Sequence, residues 1–92
     1  MPQRLTTASA RAVGTRQTLR ALEKGAAEIV FVARDAEERV TRPVIEMCRK
    51  NGVQVVYVDN MRLLGQYCMI NVGAATAAIL RQEPPRKSRA SG

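Results

Sequence analysis

The stretch Glu28-Ile-Val-Phe-Val-Ala33 decides the fold. Its β-branched and aromatic residues form a run of strand length, closed by Arg34 and Asp35, and an apolar run without alternation reads as a buried strand. Outward on the C-terminal side, Asp35-Ala-Glu-Glu38 resembles a capping box and Thr41-Arg-Pro-Val44 offers a second helix start, with proline early, where its missing N–H costs little. A helix is predicted from about there to Lys50. Its residues Val44, Ile45, Met47 and Cys48 face inward, and Asn51-Gly52 stops it. Val53-Gln-Val-Val-Tyr-Val58 is the second strand, after which Asp59 is placed to cap a short helix over Met61, Leu64 and Tyr67. On the N-terminal side, a helix from Thr15 to Lys24, capped by Thr15 and ended by Gly25, precedes the first strand, and Leu5 to Ala12 suits a helical turn followed by a short edge strand. Gly73 to Leu80 is too rich in small residues for propensity to choose between helix and strand. Alternating helices and apolar strands argue for an α/β fold with helices on both faces of a small sheet.

Ninety-two residues with 46% hydrophobic content support one domain, expected over residues 1–82, followed by a basic tail over 83–92 whose Pro84-Pro85 and charges read as disordered. No apolar run reaches membrane-spanning length and the N-terminus lacks a signal-peptide core, so a cytoplasmic location is expected. Cys48 and Cys68 then read as reduced packing thiols, and with no histidine and no Cys-x-x-Cys pair neither a metal nor another cofactor is expected. Catalytic motifs are missing too. The acids Asp35, Glu37 and Glu38 cluster, but a helix first turn explains them better than acid–base chemistry. Tyr57 and Tyr67 are too few for a base-stacking platform and read as core or rim.

Charge is where the sequence speaks about partners. Residues 1–22 carry four arginines and no acid, residues 60–92 carry five bases against Glu83, and the middle carries six bases and seven acids, so the ends are +4 each and the middle −1, summing to +7. In the first helix Arg16, Arg20 and Lys24 fall on one stripe at four-residue intervals, with Leu19 and Leu22 on the other side. Like charges at that spacing cost roughly 0.2–0.5 kcal/mol each, so helix stability does not ask for them, whereas a polyanion would reward them. A merely solvated basic face remains the alternative. A membrane surface is disfavoured, since neither end pairs its cations with a strong apolar face.

Taken together, Val13-Gly-Thr-Arg-Gln-Thr-Leu-Arg20, Thr41-Arg-Pro-Val-Ile45, Val55-Val-Tyr-Val-Asp59 and Leu64-Gly-Gln-Tyr-Cys-Met-Ile-Asn-Val-Gly-Ala-Ala75 resemble the ribosomal protein L7Ae family, above all its small bacterial members, over roughly residues 10–81. The resemblance implies a three-layer α-β-α sandwich around a small mixed sheet, in which Gly73–Leu80 becomes a strand. It also implies binding to kink turns, sharp RNA bends flanked by tandem sheared G·A pairs. The family's Gly-x-Asn-Glu-x-x-Lys pattern falls on Gly14, Arg16, Gln17 and Arg20, where Arg16 and Gln17 depart from the archaeal residues; Thr15 and Lys24 complete that segment. Arg20 can fork to guanine O6 and N7, Gln17 can donate and accept at a purine edge, and Arg16 suits phosphate. The family's second contact is the loop matching Met69, Ile70, Asn71 and Val72, of which Ile70 and Val72 read equally as core, and Met69 stands where bacterial members commonly have glycine. By this resemblance the partner is structured RNA, ribosomal or regulatory, with no DNA or membrane, bound by a monomer. The alternatives are a protein-interaction adaptor and a non-specific polyanion binder on the same sandwich.

The tail generates a first prediction. Its cations Arg86, Lys87 and Arg89 neutralise phosphates without fixed geometry, so deleting residues 84–92 is expected to weaken binding to bent and straight RNA alike and to flatten the salt dependence. Titrations of both proteins on both RNAs over a salt series check this; an unchanged slope or a collapse of selectivity contradicts it.

Overall fold

The apolar run forms a strand with both faces covered. In the computed structural model, which describes residues 11–81, the elements are β1 (Arg11–Val13), α1 (Thr15–Glu23), β2 (Ala27–Ala33), α2 (Glu38–Asn51), β3 (Gln54–Val58), α3 (Met61–Tyr67) and β4 (Thr76–Leu80). The expected turn upstream of β1 and the basic tail lie outside the described residues. One four-stranded sheet has the order β1-β4-β2-β3, with β4 antiparallel to both neighbours and β2 parallel to β3. The α/β class and the sandwich architecture follow.

Strand periodicity divides the core into two layers. Val30 and Val32 of β2 join Ala78 of β4 beneath α1 and α2, meeting Ala21, Leu22, Val44 and Cys48. Phe31 and Ala33 point the other way, with Ala77, Ile79 and Val58, against Leu64 and Cys68 of the α3 layer. An irregularity in the β2–β4 pairing between Ala27 and Ile29 leaves Glu28 exposed and turns Ala27 into the α1–α2 layer. Each large side chain sealed this way, such as Phe31 or Leu22, contributes about 1.5–3 kcal/mol.

The ambiguous alanine-rich segment is a strand because of what flanks it. In β4, Ala77 lies opposite Phe31, Ala78 opposite Val30 and Thr76 opposite Val32. Small residues in this interior strand make room for bulky neighbours, so tertiary fit overrides alanine's weak strand propensity.

Helix boundaries depart from the sequence reading in three places. Gly14, not Thr15, occupies the cap of α1, and Thr15 is its first residue. Helix α2 begins at Glu38 instead of Thr41, so Pro43 lies inside it, exposed, and no capping-box side chain bonds its start. Asn60, not Asp59, caps α3 through Oδ1, which accepts from the Leu63 N–H at 2.7 Å. Asp35 also serves that helix: its Oδ1 accepts from the Met61 N–H at 2.8 Å. The acid expected to open α2 thus satisfies an orphan donor of α3. Gly25 and Gly52, at φ +70° and +69°, end α1 and α2 as expected.

Burial pushes the Cys48 thiol up to about 11, and also raises Cys68, partly offset by Arg11. Both are free and buried. Native protein at pH 8 is therefore expected to react slowly with a thiol reagent and denatured protein quickly. For Cys48 the sign is that of a raised native pKa: its contribution is intact below the unfolded value of 9.0 and fades as pH climbs toward about 11. Denaturant midpoints from pH 8 to 11, with Cys48→Ala as control, measure the loss; an identical decline in the control contradicts the assignment.

Candidate nucleic-acid interface

Topology gathers the candidate residues at one end of the sandwich. Because β1 and β2 are each antiparallel to β4, and β3 is parallel to β2, the first three strands point the same way. Their C-terminal ends, the starts of the three helices that follow them, and the loop leading into β4 share one edge. Three helix N-termini there add partial positive charge, and at α3 the Met61 and Leu63 N–H groups are already taken by Asp35 and Asn60.

Gly14 joins α1 to β4 at this edge. Its N–H donates to the Thr76 carbonyl at 2.9 Å while its own carbonyl accepts from the Thr18 N–H at 3.0 Å. The backbone there has φ 100° and ψ 157°, a region open essentially only to glycine, whereas a Cβ would meet no described atom within 4 Å. Glycine is needed for conformation, not for close approach. Beneath it, the hydroxyl of Thr76 lies 3.4 Å from that of Thr18 and 3.5 Å from that of Thr15, long contacts in a cluster where Thr18 and Thr76 are fully buried. Thr18 and Thr76 are polar neighbours away from water, whereas Thr15, half-buried, keeps one side open to solvent.

The second segment is held as firmly. All three helices end in the same paired-bond motif, in which the residue that donates the first bond takes the left-handed conformation. Helix α1 does so through the Gly25 and Ala26 N–H groups to Leu22 and Ala21 carbonyls, and α2 through Gly52 and Val53 to Arg49 and Cys48. In α3 the Met69 N–H donates to the Gln66 carbonyl at 3.0 Å and the Ile70 N–H to the Gly65 carbonyl at 3.1 Å. Met69 thus sits at φ 64°, the only described non-glycine residue with positive φ. The loop then folds back on α3: the Ala74 N–H reaches the Met61 carbonyl at 3.0 Å, and a Cβ on Gly65 would fall 2.1 Å from the Val72 carbonyl oxygen. Gly65 is therefore required by crowding.

On this frame Arg16, Gln17 and Arg20 are exposed along α1, and Met69, Asn71 and Val72 are exposed on the loop. Thr15 is half-buried in the threonine cluster. Ile70, open to either role from sequence, is half-buried and packs on the α3 layer. Lys24, the C-terminal cap of α1, is about 12 Å along the axis from Arg16 at about 1.5 Å per residue, and it lines a cavity with Gln17 and Arg20 against β1 and the end of β4. Among the described residues Arg16 and Arg20 have no acidic partner, while Glu37 pairs with Arg39 at 3.0 Å and Glu38 with Arg42, which holds the Glu38 carboxyl below its usual pKa. Tyr57 is at the rim, 47% exposed, with the Arg34 guanidinium 5.1 Å from its ring centre. Sequence reasoning missed Gly65, Thr18, Thr76 and Arg39. Only the threonines carried a signal, as polar residues within apolar stretches. No group of three metal-ligating side chains occurs among the described residues.

Comparison with known proteins is consistent along the chain. Residues 3–87 match the model of the Ribosomal protein L7Ae/L30e/S12e/Gadd45 family. An RNA-binding protein of Caldanaerobacter subterraneus subsp. tengcongensis is 47% identical over 68 residues, covering 74% of this chain and 83% of that one. The large ribosomal subunit protein eL8 of Halobacterium salinarum is 38% identical over 68 residues, covering 73% and 57%. In structure, a Giardia lamblia 15.5kD RNA binding protein superposes with a TM-score of 0.79 at 24% identity, covering 89% of this chain and 69% of that one, a likeness of fold. The chain belongs to the L7Ae family.

The loop yields a paired prediction. A non-glycine residue in the left-handed conformation costs roughly 1–2 kcal/mol, so Met69→Gly is expected to stabilise the fold by about 1 kcal/mol after the added chain entropy is deducted. Gly65→Ala is expected to destabilise it, because backbone, not a flexible side chain, must yield to the new Cβ. Thermal and denaturant melts read both, and a neutral Gly65→Ala would contradict the crowding argument.

Proposed function

We propose that this protein binds structured RNA at the edge formed by the start of α1 and the loop before β4, and that it stabilises a kink turn. The observation that carries the reading is the Gly14 to Thr76 bond, which sets the exposed arginines and glutamine of α1 beside the loop in one rigid surface. A uniform basic strip would hold any phosphate backbone. Here a forked donor at Arg20 and an amide at Gln17 are exposed on α1, and the side chains of Met69 and Val72 are exposed on the loop that leads into β4, so the protein offers partners to base edges and to unstacked base faces. Arg16, at the amino end of α1, meets phosphate. Lys24, one turn beyond Arg20 and lining a cavity with it and Gln17, extends the same basic face.

Catalysis plays no part in this reading. The protein acts on an equilibrium between extended and bent RNA, and it moves that equilibrium only by its greater affinity for the bend. The names of its relatives, RNA-binding proteins and a large-subunit ribosomal protein, support RNA as partner and make ribosomal RNA in the cytoplasm the first target to test. The surface is complete on one chain, which supports a monomer.

The expected behaviour is a preference for bent RNA that depends on Arg20. In competition at about 0.15 M salt, a kink-turn RNA is expected to outcompete the same RNA with its G·A pairs replaced by Watson–Crick pairs. Arg20→Ala is expected to lose roughly 1–3 kcal/mol on the kinked RNA and much less on the straightened one, with the circular-dichroism spectrum unchanged. Equal binding of the two RNAs by the unaltered protein would refute shape reading, and an unchanged affinity ratio in the variant would remove Arg20 from the specificity site.

A further inference from the structure

Arg16 and Arg20 face more than the bend. They also wall a groove between α1 and α2, whose floor is Leu19, Val40 and Pro43 and whose far wall carries Arg39. The two helices run side by side in the same sense: both start at the binding edge, and the Asn51 side chain at the end of α2 donates to the Leu22 carbonyl near the end of α1 at 3.2 Å. The groove therefore opens at that edge and leads away from it.

Its lining is basic and apolar in complementary places. Three arginines face Glu23 as the single lining acid. Arg39 is 84% exposed and gives only its Nε–H to Glu37, leaving four of the five guanidinium N–H donors for a ligand. An apolar floor between cationic walls suits a sugar–phosphate strand, with ribose on the floor and phosphates between the guanidinium groups. Continuity with the bend-reading residues argues for the same RNA molecule as occupant.

We propose that the α1–α2 groove carries the phosphate backbone of the RNA stem flanking the bend, with Arg39 supplying a contact outside the bend-reading residues. This rests on the reading of the edge as an RNA site. The stem held in this groove lengthens the interface beyond the few nucleotides at the kink, and it fixes the direction in which that stem leaves the protein. Phosphate contacts of this kind position the RNA without reading its sequence.

Two RNAs sharing one kink turn, one with long stems and one with stems cut to the shortest that still bend, provide the test. Arg39→Ala is expected to weaken binding to the long-stem RNA several-fold and to reduce the slope of log affinity against log salt by about 0.9, the share of one phosphate contact. It should leave the short-stem RNA unchanged. Arg49→Ala, an exposed cation in the last turn of the same helix and outside the groove, should change neither. Arg39→Ala binding the long-stem RNA as the unaltered protein does overturns the proposal and leaves the groove to a protein partner. Equal losses on both RNAs, or an equal loss in Arg49→Ala, overturn it as well, in favour of general charge. Failure of the unaltered protein to prefer bent over straightened RNA defeats the underlying reading instead, and the two failures are thereby told apart.

Discussion

The 2.9 Å hydrogen bond from the Gly14 N–H to the Thr76 carbonyl is the constraint on which the candidate interface depends. It joins the last residue before α1 to the first residue of β4, far apart in the chain, at the place where the sheet ends and the exposed surface begins. The buried hydroxyls of Thr18 and Thr76 lie directly below. If the joint opened, α1 could tilt on its apolar face and the loop could drift from it. Neither segment would then present a surface of fixed shape. A buried hydroxyl pair is costly to break, because each group left unpaired carries a desolvation penalty of about 1–3 kcal/mol.

The loop obeys the same logic by other means. It is pinned to α3 by backbone hydrogen bonds and by the missing side chain of Gly65, so its exposed Met69 and Val72 are apolar groups on a stiff support. Ordering such groups costs little at the moment of binding, since most of their freedom is already lost. The local strain at Met69 belongs to this arrangement. Three helices use one terminating motif, two with glycine, and the third accepts a methionine at φ 64°. A long, adaptable thioether is thereby exposed in the recognition loop, at a cost spread over the loop's other tethers.

Much of this was legible in the sequence, for stated reasons. The runs ending at Ala33 and Val58 announced strands because an apolar run bounded by charges has few other uses, and Gly25 and Gly52 announced helix ends because the left-handed conformation favours glycine. Family resemblance, not local composition, identified the last strand, whose alanines make sense only opposite Phe31 and Val30. The helix starts were misplaced where capping is tertiary: Asp35 sits where a local cap belongs, yet its carboxylate serves α3 from 26 residues away. Met69 hid the end of α3 for the converse reason. The exposed arginines and the loop were legible as candidates, but Arg39 was not, because its significance lies in the α1–α2 groove and not in any local spacing.

Charge placement ties these observations to the proposed partner. The middle of the chain is the only acidic part, and its acids at the start of α2 stand close to the binding edge, where they would repel phosphate. Glu37 and Glu38 are instead each engaged by an arginine of their own helix, Arg39 and Arg42. Such exposed pairs add little stability, usually below about 1 kcal/mol, so their effect is on the field and not on the fold. With the acids matched locally, Arg16 and Arg20 have no acidic partner among the described residues, and Arg16 stands at a helix start whose own dipole has the same sign. A surface of that sign is an unfavourable neighbour for itself and a favourable one for a sharply bent polyanion, in which phosphates are crowded and counterions most readily released.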